Sequence, residues 1–421
     1  MLRRPGRRSA PTLPKTEMRP FAGIWLELNA RLAHLQFVTG YLLLVPINFL
    51  VSGVLTFCLN WLTAIPWRKA STAHWTERAR LLWPVRRSGA TIILVIPACL
   101  SVAEVAAQWE SWSGSVFPAV AGLLGAILAT FPLDREIFPR FTFRSWLRLV
   151  SVGWTIRLGF WAVFVASAMA MPDELGVTTA VIGGAVLLFI LAWNFGLLLR
   201  FFRWLGMVRA PDERLRGIVA GTAGKMAVGE PGTWLLDVPF AQAFAITTTG
   251  DLLFSSRLLE ILSDGKISAV CAHELAHLME SKVVLAGRIA GSLTLYPLIF
   301  LRPAANFGPS AVCAILGFIW LSAILVRKLS RRMEKRADEI ASENQGEEGV
   351  YARALEKLYC DSLLPAVSAS NVKTHPHLYD RMVASGIQPE YPRPAKPEGM
   401  AWAGYLVCIA LGILIGIALA N

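Results

Sequence analysis

Long apolar stretches recur along the chain, separated by shorter polar ones. Many of these stretches run for about 18 to 25 residues, which fits the hydrocarbon core of a bilayer. They lie at about 35–65, 90–108, 115–132, 148–171, 177–199, 284–301, 309–326 and 400–420. The pattern predicts a mainly α, polytopic helical membrane protein. The pair at 284–301 and 309–326 also fits a hairpin of shorter helices.

The polar region before residue 284 has a different periodicity. Arg214–Ala227 is predicted to form a short helix and Thr233–Val238 a strand. Ala243–Ser256 is predicted to form a β-hairpin that turns near Gly250 and Asp251. A short helix at Arg257–Leu262 follows. The soluble part therefore contains a small β-hairpin or sheet among helices.

These patterns divide the chain into six regions. They are a basic arm (1–34), an N-terminal membrane region of about five apolar segments (35–199), a first soluble part (200–283), a pair of membrane helices or a hairpin (284–326), a second soluble part (327–398) and a C-terminal membrane helix (399–421). The charged stretch 326–343 and residues 350–363 are predicted to be helical.

Composition supports a membrane protein. Hydrophobic residues make up 55% of the 421 residues, and charged residues only 17%. The net charge of +12 comes from basic residues that flank apolar segments, which is typical of topology signals and of contact with membrane lipid, not of nucleic-acid binding. The six cysteines are scattered, so neither a disulfide framework nor a cysteine zinc site is expected. The basic N-terminus is not followed by the pattern of a removable signal peptide.

The alternation of loop charge predicts the orientation. Loops 66–88 and 133–147 are basic, whereas the loops around Glu110 and Asp173 are acidic, so the basic loops are expected in the cytoplasm. One conflict remains, because the basic arm and loop 66–88 flank a single apolar run. Either run 35–65 re-enters or forms a hairpin broken near Pro46, or the rule fails for one flank.

Polar residues also fall within the predicted spans. Glu104, Arg157 and Asn194 are examples. Charges at that depth usually face the bundle interior or pair with each other. A structural Glu104–Arg157 pair is one interpretation, and the lining of a substrate chamber is the other.

One motif carries metal chemistry. His273 and His277 are four residues apart, so on a helix they project from the same face and can hold one zinc ion. Glu274 lies beside the first histidine, where it can polarise a water molecule at the metal.

A catalytic zinc needs a third protein ligand, and the charged helix offers one. Glu334 and Asp338 share a helical face, so Glu334 can bind metal while Asp338 braces a ligating histidine. Glu339 is the rival ligand, but it lies on a different face of the helix.

Together these motifs resemble the membrane gluzincin family that includes the CAAX prenyl proteases and the heat-shock protease HtpX. The resemblance covers about residues 210 to 385 and rests on three features: His273-Glu274-x-x-His277, Glu334-x-x-Ala337-Asp338, and Thr374-His375-Pro376 followed by Arg381. An upstream segment, Gln242-Ala243-Phe244-Ala245, is similar to the family's Asn-Ala-Phe-Ala segment, with Gln242 in place of the usual Asn.

The resemblance implies a gluzincin-type metalloprotease with one Zn²⁺ per chain, bound by His273, His277 and Glu334. It implies that Glu274 is the general base and that His375 and Arg381 stabilise the oxyanion of the tetrahedral intermediate. Residues 242–245 would bind substrate. An extended peptide could add to the edge of the strand at 243–249, which is our own hypothesis.

The sequence therefore predicts a zinc endopeptidase acting on a peptide or membrane-protein substrate, in membrane-protein quality control or processing. Its active site is expected at the cytoplasmic face, because Arg327, Lys328, Arg331 and Arg332 precede Glu334. The composition is typical of a bacterial inner membrane. A transporter or channel, and an inactive metal-binding scaffold, are the alternative functions.

Overall fold

A computed structural model describes residues 43–108, 116–368 and 377–399, together with residues 409–410 and 413–414. The predicted basic arm and most of the closing span lie outside these residues. Six of the described helices are long and apolar enough to cross a membrane. The predicted class, a polytopic helical membrane protein with a small sheet, is confirmed.

The described helices and strands are numbered in chain order. The helices are α1 Leu43–Thr63, α2 Ile65–Lys69, α3 Trp75–Gln108, α4 Val116–Leu128, α5 Phe131–Ile137, α6 Phe143–Ala170, α7 Val177–Ala192, α8 Leu198–Trp204, α9 Glu213–Lys225, α10 Ser256–Ile261, α11 Asp264–Leu278, α12 Lys282–Ser292, α13 Leu301–Ala305, α14 Pro309–Glu343, α15 Val350–Asp361 and α16 Leu378–Ala384. The strands are β1 Val208–Arg209, β2 Gly232–Leu236, β3 Ala243–Ile246 and β4 Asp251–Ser255.

The N-terminal apolar stretches are helical, but α3 begins earlier than expected. Most of the predicted loop 66–88 lies in α2 and in the first turns of α3. The reason is an apolar face, because Leu82 and Val85 are buried in a cluster with Trp67 and Leu133. Helix α1 is unbroken from Leu43 onwards, so Pro46 lies in its first turn and breaks nothing there. Residues 35–42 lie outside the described part.

The chain divides into two compact units. One comprises residues 1–60, 89–130 and 401–421, and within it α1 and α4 approach closely. A Cβ atom on Gly125 would lie 2.0 Å from the Phe49 carbonyl oxygen, so this contact requires glycine. The other unit comprises residues 61–88 and 131–400 and contains the sheet and the candidate site.

The sheet has four strands in the order β1-β2-β4-β3. Strand β2 pairs parallel with β4, and β3 pairs antiparallel with β4 at the edge. The predicted hairpin is therefore β3–β4, and Gly250 provides the positive φ of 76° that its turn requires.

The two faces of this sheet contact different parts of the molecule. Successive strand residues point to opposite faces. On one face, Leu252 and Phe254 pack with residues of α9, α10 and α11. On the other, Leu236 and Leu253 pack with residues of the apolar helices α6 and α8. The sheet thus joins the motif helix α11 to helices of the membrane region.

The helices after α11 differ from the prediction. The second expected span and the charged helix at 326–343 are one continuous 35-residue helix, α14. The first expected span is interrupted, because α12 ends at Ser292 and a 3₁₀ turn at Tyr296–Phe300 precedes α13. Pro297 in that turn cannot donate a backbone hydrogen bond, which favours a break over a continuous α-helix.

Candidate metal centre

Helix α11 carries the histidine motif in a buried position. It begins after Ser263, and Ile267, Cys271 and Leu275 are buried in one apolar cluster with strands of the sheet. The side chains of the motif are also buried: His273, Glu274 and His277 are each 8% exposed.

Helix α14 brings the third donor to this face. The Glu334 carboxylate lies between the two imidazoles, with its oxygens 3.6 Å from His273 Nε2 and 3.7 Å from His277 Nε2. The rival ligand Glu339 lies on an exposed face of α14, where Lys335 Nζ is 3.7 Å away. The structure therefore brings together the three donors that the sequence named, and Glu339 is not among them.

These three side chains fit a metal ion. One donor atom from each lies within 4.8 Å of the other two. Donors at about 2.0–2.2 Å from a tetrahedral zinc ion would be about 3.3 Å apart, so small movements would close the site. The set of two imidazoles and one carboxylate leaves a coordination position open, which is the arrangement of a catalytic site.

A hydrogen-bond network orients His273 from behind. Its Nδ1 lies 2.7 Å from Tyr351 Oη and 3.2 Å from Asp338 Oδ1. The Tyr351 hydroxyl donates its hydrogen to Asp338 Oδ1 and accepts from Arg381 Nη2, so it must accept from His273 Nδ1. His273 therefore keeps its Nε2 lone pair for a metal.

A second carboxylate orients His277 in the same manner. His277 Nδ1 lies 2.9 Å from Glu280 Oε1, and Arg288 Nε donates to Glu280 Oε2 at 2.6 Å. Burial opposes ionisation of Glu280, but the hydrogen bonds from His277 and Arg288 outweigh it and lower the pKa of this carboxyl. Glu280 is thus an anion that holds its histidine with Nε2 towards Glu334.

Glu274 faces strand β3. Burial raises the pKa of the Glu274 carboxyl, while the neighbouring histidines and a hydrogen bond from the Ala245 backbone act in the opposite direction. The carboxyl also lines a cavity of about 510 Å³. The raised pKa favours a group that can both accept and return a proton.

The other predicted site residues are distributed unequally. Gln242, Ala243 and Arg381 line the same cavity as Glu274, whereas Phe244 points to the opposite face of the sheet and packs with the cluster of α6 and α8. Arg381 Nη2 donates to Asp338 Oδ1 as well as to Tyr351. The contacts of this nitrogen are thus with the groups behind His273. Residue His375 lies outside the described residues.

Sequence reasoning missed Tyr351, Glu280 and Arg288. Glu280 follows His277 by three residues, a spacing that places it within reach of that histidine, so the signal was available. Tyr351 comes from α15, far along the chain, and no local pattern distinguishes it from any other partly apolar helical residue.

Comparison with known proteins identifies the class of the site. Residues 209–385 match the profile described as Peptidase family M48. A "Protease HtpX homolog" of Desulfotalea psychrophila is 27% identical over 209 residues, which cover 41% of this chain and 73% of that protein. The "Protease HtpX" of Shewanella sp. strain W3-18-1 is 28% identical over 234 residues, 47% of this chain and 80% of that protein. The "Protease HtpX" of Stutzerimonas stutzeri is 27% identical over 165 residues, which cover 31% of this chain and 56% of that protein.

The membrane helices, the donor set and these similarities define a membrane-embedded metalloprotease. Residues 209–385 are similar to peptidase family M48, and the chain is similar to HtpX proteases. The expected resemblance is confirmed, and the transporter alternative is set aside.

The network behind His273 predicts an effect on metal affinity. Tyr351→Phe removes the hydroxyl that fixes the imidazole, so we expect the metal dissociation constant to rise by about tenfold or more. Titration of the metal-free protein with zinc measures this constant. Tyr379→Phe is the control, because it removes the same hydroxyl from α16, away from the donors. Equal affinities for the two variants would contradict the orienting role of Tyr351.

Proposed function

We propose that this chain is a zinc-dependent endopeptidase that hydrolyses peptide bonds of membrane-associated proteins at the cytoplasmic face of a bacterial inner membrane. The observation that carries the proposal is the position of the Glu334 carboxylate, within 3.7 Å of both histidine Nε2 atoms and next to the buried Glu274. An inactive metal-binding scaffold is the remaining alternative, and the retention of Glu274 argues against it.

Zinc is the metal that the donors favour. His273, His277 and Glu334 supply two nitrogens and one oxygen, a set typical of catalytic zinc. When bound, zinc acts as a Lewis acid that polarises a peptide carbonyl and makes water more acidic.

Glu274 acts as the general base. Its carboxylate takes a proton from the attacking water and then gives that proton to the leaving amine. Burial raises its pKa, which brings the protonated and ionised forms closer in free energy and suits both steps. The hydrogen bond from Ala245 holds the carboxylate in place.

Arg381 is better suited to positioning than to direct oxyanion contact. Its Nη2 is bonded to Asp338 and Tyr351, which together hold His273. We propose that Arg381 keeps Asp338 ionised and that Asp338 and Tyr351 fix the ligand. For His375 we retain the role implied by the family resemblance, stabilisation of the oxyanion.

Substrate would add to strand β3. The Gln242 N–H donates to Ser255 Oγ of β4, and the Gln242 carbonyl accepts from the Ser255 N–H, at 2.8 Å each. Because bonded and non-bonded residues alternate in an antiparallel pair, Ala243 and Ala245 direct their N–H and C=O groups to the outer edge. The Ala245 N–H bonds the Glu274 carboxylate, so the Ala243 N–H and C=O and the Ala245 C=O are the groups that a substrate would pair with. That edge lies beside Glu274 and can bind an extended peptide whatever its sequence.

The cavity beside this edge suggests a preference for apolar side chains. Beyond the catalytic groups its wall is mostly apolar, formed by Phe138, Phe240, Leu355, Leu358 and Leu364. Burial of an apolar substrate side chain there would stabilise the complex.

The distribution of charge supports the proposed orientation. Arg327, Lys328, Arg331 and Arg332 lie on α14 immediately before Glu334, and basic residues at the end of a span are typical of the cytoplasmic side. The acidic pair Asp173 and Glu174 precedes the candidate span Val177–Trp204, whereas Arg200 lies near the other end of that span.

Loss of the Glu274 carboxylate should stop cleavage. Glu274→Gln should lower the cleavage rate of casein by at least about a hundredfold, because the amide cannot accept the proton. Purified protein in detergent would be assayed, with zinc quantified by mass spectrometry. Glu339→Gln, the same change on an exposed face of α14, is the control. If Glu274→Gln binds zinc and cleaves as fast as the wild type, Glu274 is not the base.

Substrate pairing with the edge strand should depend on the Ala243 N–H. Ala243→Pro removes an outward N–H without removing a bond to β4, and we expect KM for a peptide to rise by roughly twofold to tenfold, the value of one hydrogen bond. Ala243→Ser keeps the N–H and should leave KM near that of the wild type. An unchanged KM for the proline variant would argue against strand addition.

The orientation of the chain in the membrane can be measured with one introduced cysteine at a time. The Lys335 side chain is 77% exposed. A membrane-impermeant maleimide should therefore label Lys335→Cys in inverted vesicles, above the wild-type background, but not in intact spheroplasts. Glu174→Cys should behave in the opposite way. The reverse pattern would place the site on the other side of the membrane.

A further inference from the structure

Two membrane helices are interrupted at facing positions. The candidate span Val177–Trp204 is broken at Trp193–Leu197, where Phe195 and Gly196 leave helical geometry. The candidate span Lys282–Ala305 is interrupted after Ser292, where α12 ends. The two breaks touch, because Asn194 Nδ2 donates to Ser292 Oγ at 2.9 Å. We call this region the paired break.

The tip of the β3–β4 hairpin reaches the paired break. The Thr248 hydroxyl donates to the Asn194 carbonyl oxygen, within the first break. Gly196 has a φ of 94°, and the Thr249 methyl group lies 3.2 Å from the position of a Cβ there. Strand β3 therefore leads from Gln242, at the catalytic cavity, to the paired break.

The paired break lies towards the catalytic side of the membrane region. Sixteen residues of α7 precede it, a length of about 24 Å against a hydrocarbon core of about 30 Å. Arg200 and Arg203 follow it within α8. The break is thus close to the boundary where a chain leaves the apolar core.

Irregular backbone is rare at such a depth, because its polar groups have no water to bond. Membrane proteins retain it where it is buried in protein or lines a polar cavity, and broken helices that face each other are frequent at binding sites. Two side chains at the breaks are available to a further group. The Thr294 hydroxyl oxygen, in the second break, is buried and has no hydrogen-bond partner. The Phe195 side chain, in the first break, is 53% exposed.

We propose that the paired break receives the transmembrane segment of a membrane-protein substrate where it leaves the bilayer and unwinds onto β3. This inference rests on the proposed peptidase function. A helical segment must lose its internal hydrogen bonds before it can pair with an edge strand. The polar groups of the paired break are at the end of β3 where that exchange would occur, and the exposed Phe195 would contact the apolar part of the segment.

Photo-crosslinking tests this directly. A photoreactive phenylalanine analogue replaces Phe195 in the full chain carrying Glu274→Gln, reconstituted in phosphatidylethanolamine and phosphatidylglycerol vesicles. The probe is a casein segment fused to a helix of about 20 leucines and alanines, attached at either end in separate proteins. Leu188 is the matched control position, because it is 68% exposed and lies two helical turns from Phe195 on α7, towards the bilayer interior.

We expect several-fold more crosslinking to the probe from position 195 than from position 188, with at least one of the two fusions. Equal yields from the two positions, or none from 195, would overturn the proposal. Cleavage by the unmodified protein distinguishes failure of the peptidase function from failure of the paired break as a substrate site. Cleavage of soluble casein but of neither fusion rejects the paired break as a substrate site and leaves the peptidase function intact. Cleavage of neither form by zinc-loaded protein rejects both.

A conservative pair of variants adds a kinetic readout. Thr248→Val removes the hydroxyl that holds the Asn194 carbonyl, whereas Thr248→Ser keeps it. We expect Thr248→Val to lower the ratio of kcat/KM for the anchored fusion to that for soluble casein by about fivefold, the effect of one hydrogen bond. Thr248→Ser should retain the ratio. A purely structural role of Thr248 would lower both rates together and leave the ratio of Thr248→Val unchanged.

Discussion

The contact between α11 and α14 is the constraint on which the rest of the site depends. Two donors lie on α11, but a third is useful only if the Glu334 carboxylate reaches both imidazoles. One buried charge cluster holds this contact, because Asp338 of α14 meets His273 of α11, Tyr351 of α15 and Arg381 of α16. Buried charges are costly unless they are paired and hydrogen-bonded, so a loss at any of these positions should disturb all four helices.

The membrane helices also influence the metal centre, because they connect its ligands along the chain. The chain between His277 and Glu334 runs through α12, α13 and the apolar part of α14 before it returns to the site. The position of Glu334 therefore depends on how these helices pack. Arg288 of α12 bonds Glu280, which orients His277, so the first helix of this excursion also contributes to the metal centre.

Much of this arrangement was predictable, and what was not has identifiable causes. The histidine spacing, the Glu334–Asp338 spacing and the hairpin at 243–256 are local patterns, and local geometry determines which side chains share a face. The predicted start of α3 was wrong because the basic residues of this segment suggested a loop. The segment is helical because Leu82 and Val85 form an apolar face that is buried against Trp67 and Leu133. Tyr351 was missed because its role exists only once α15 is packed behind α11. The sequence also predicted a boundary between a membrane span and a charged helix near residue 326, and this prediction was wrong. Helix α14 continues from apolar to charged residues, because a helix need not end where its environment changes.

The paired break could not be predicted from the sequence pattern. Asn194 was recognised as a polar residue in a span, but the break around it depends on Gly196 and on a hairpin tip from elsewhere in the chain. Facing broken helices are a feature associated with transporters, and here they occur in a chain with a peptidase site. The two observations are compatible because both functions need polar groups at the edge of an apolar core. A peptidase that takes substrate from a bilayer must offer an extended backbone new partners as it leaves the membrane. In the proposed mechanism strand β3 supplies these partners beside Glu274, and the tip of its hairpin contacts Asn194 at the other end.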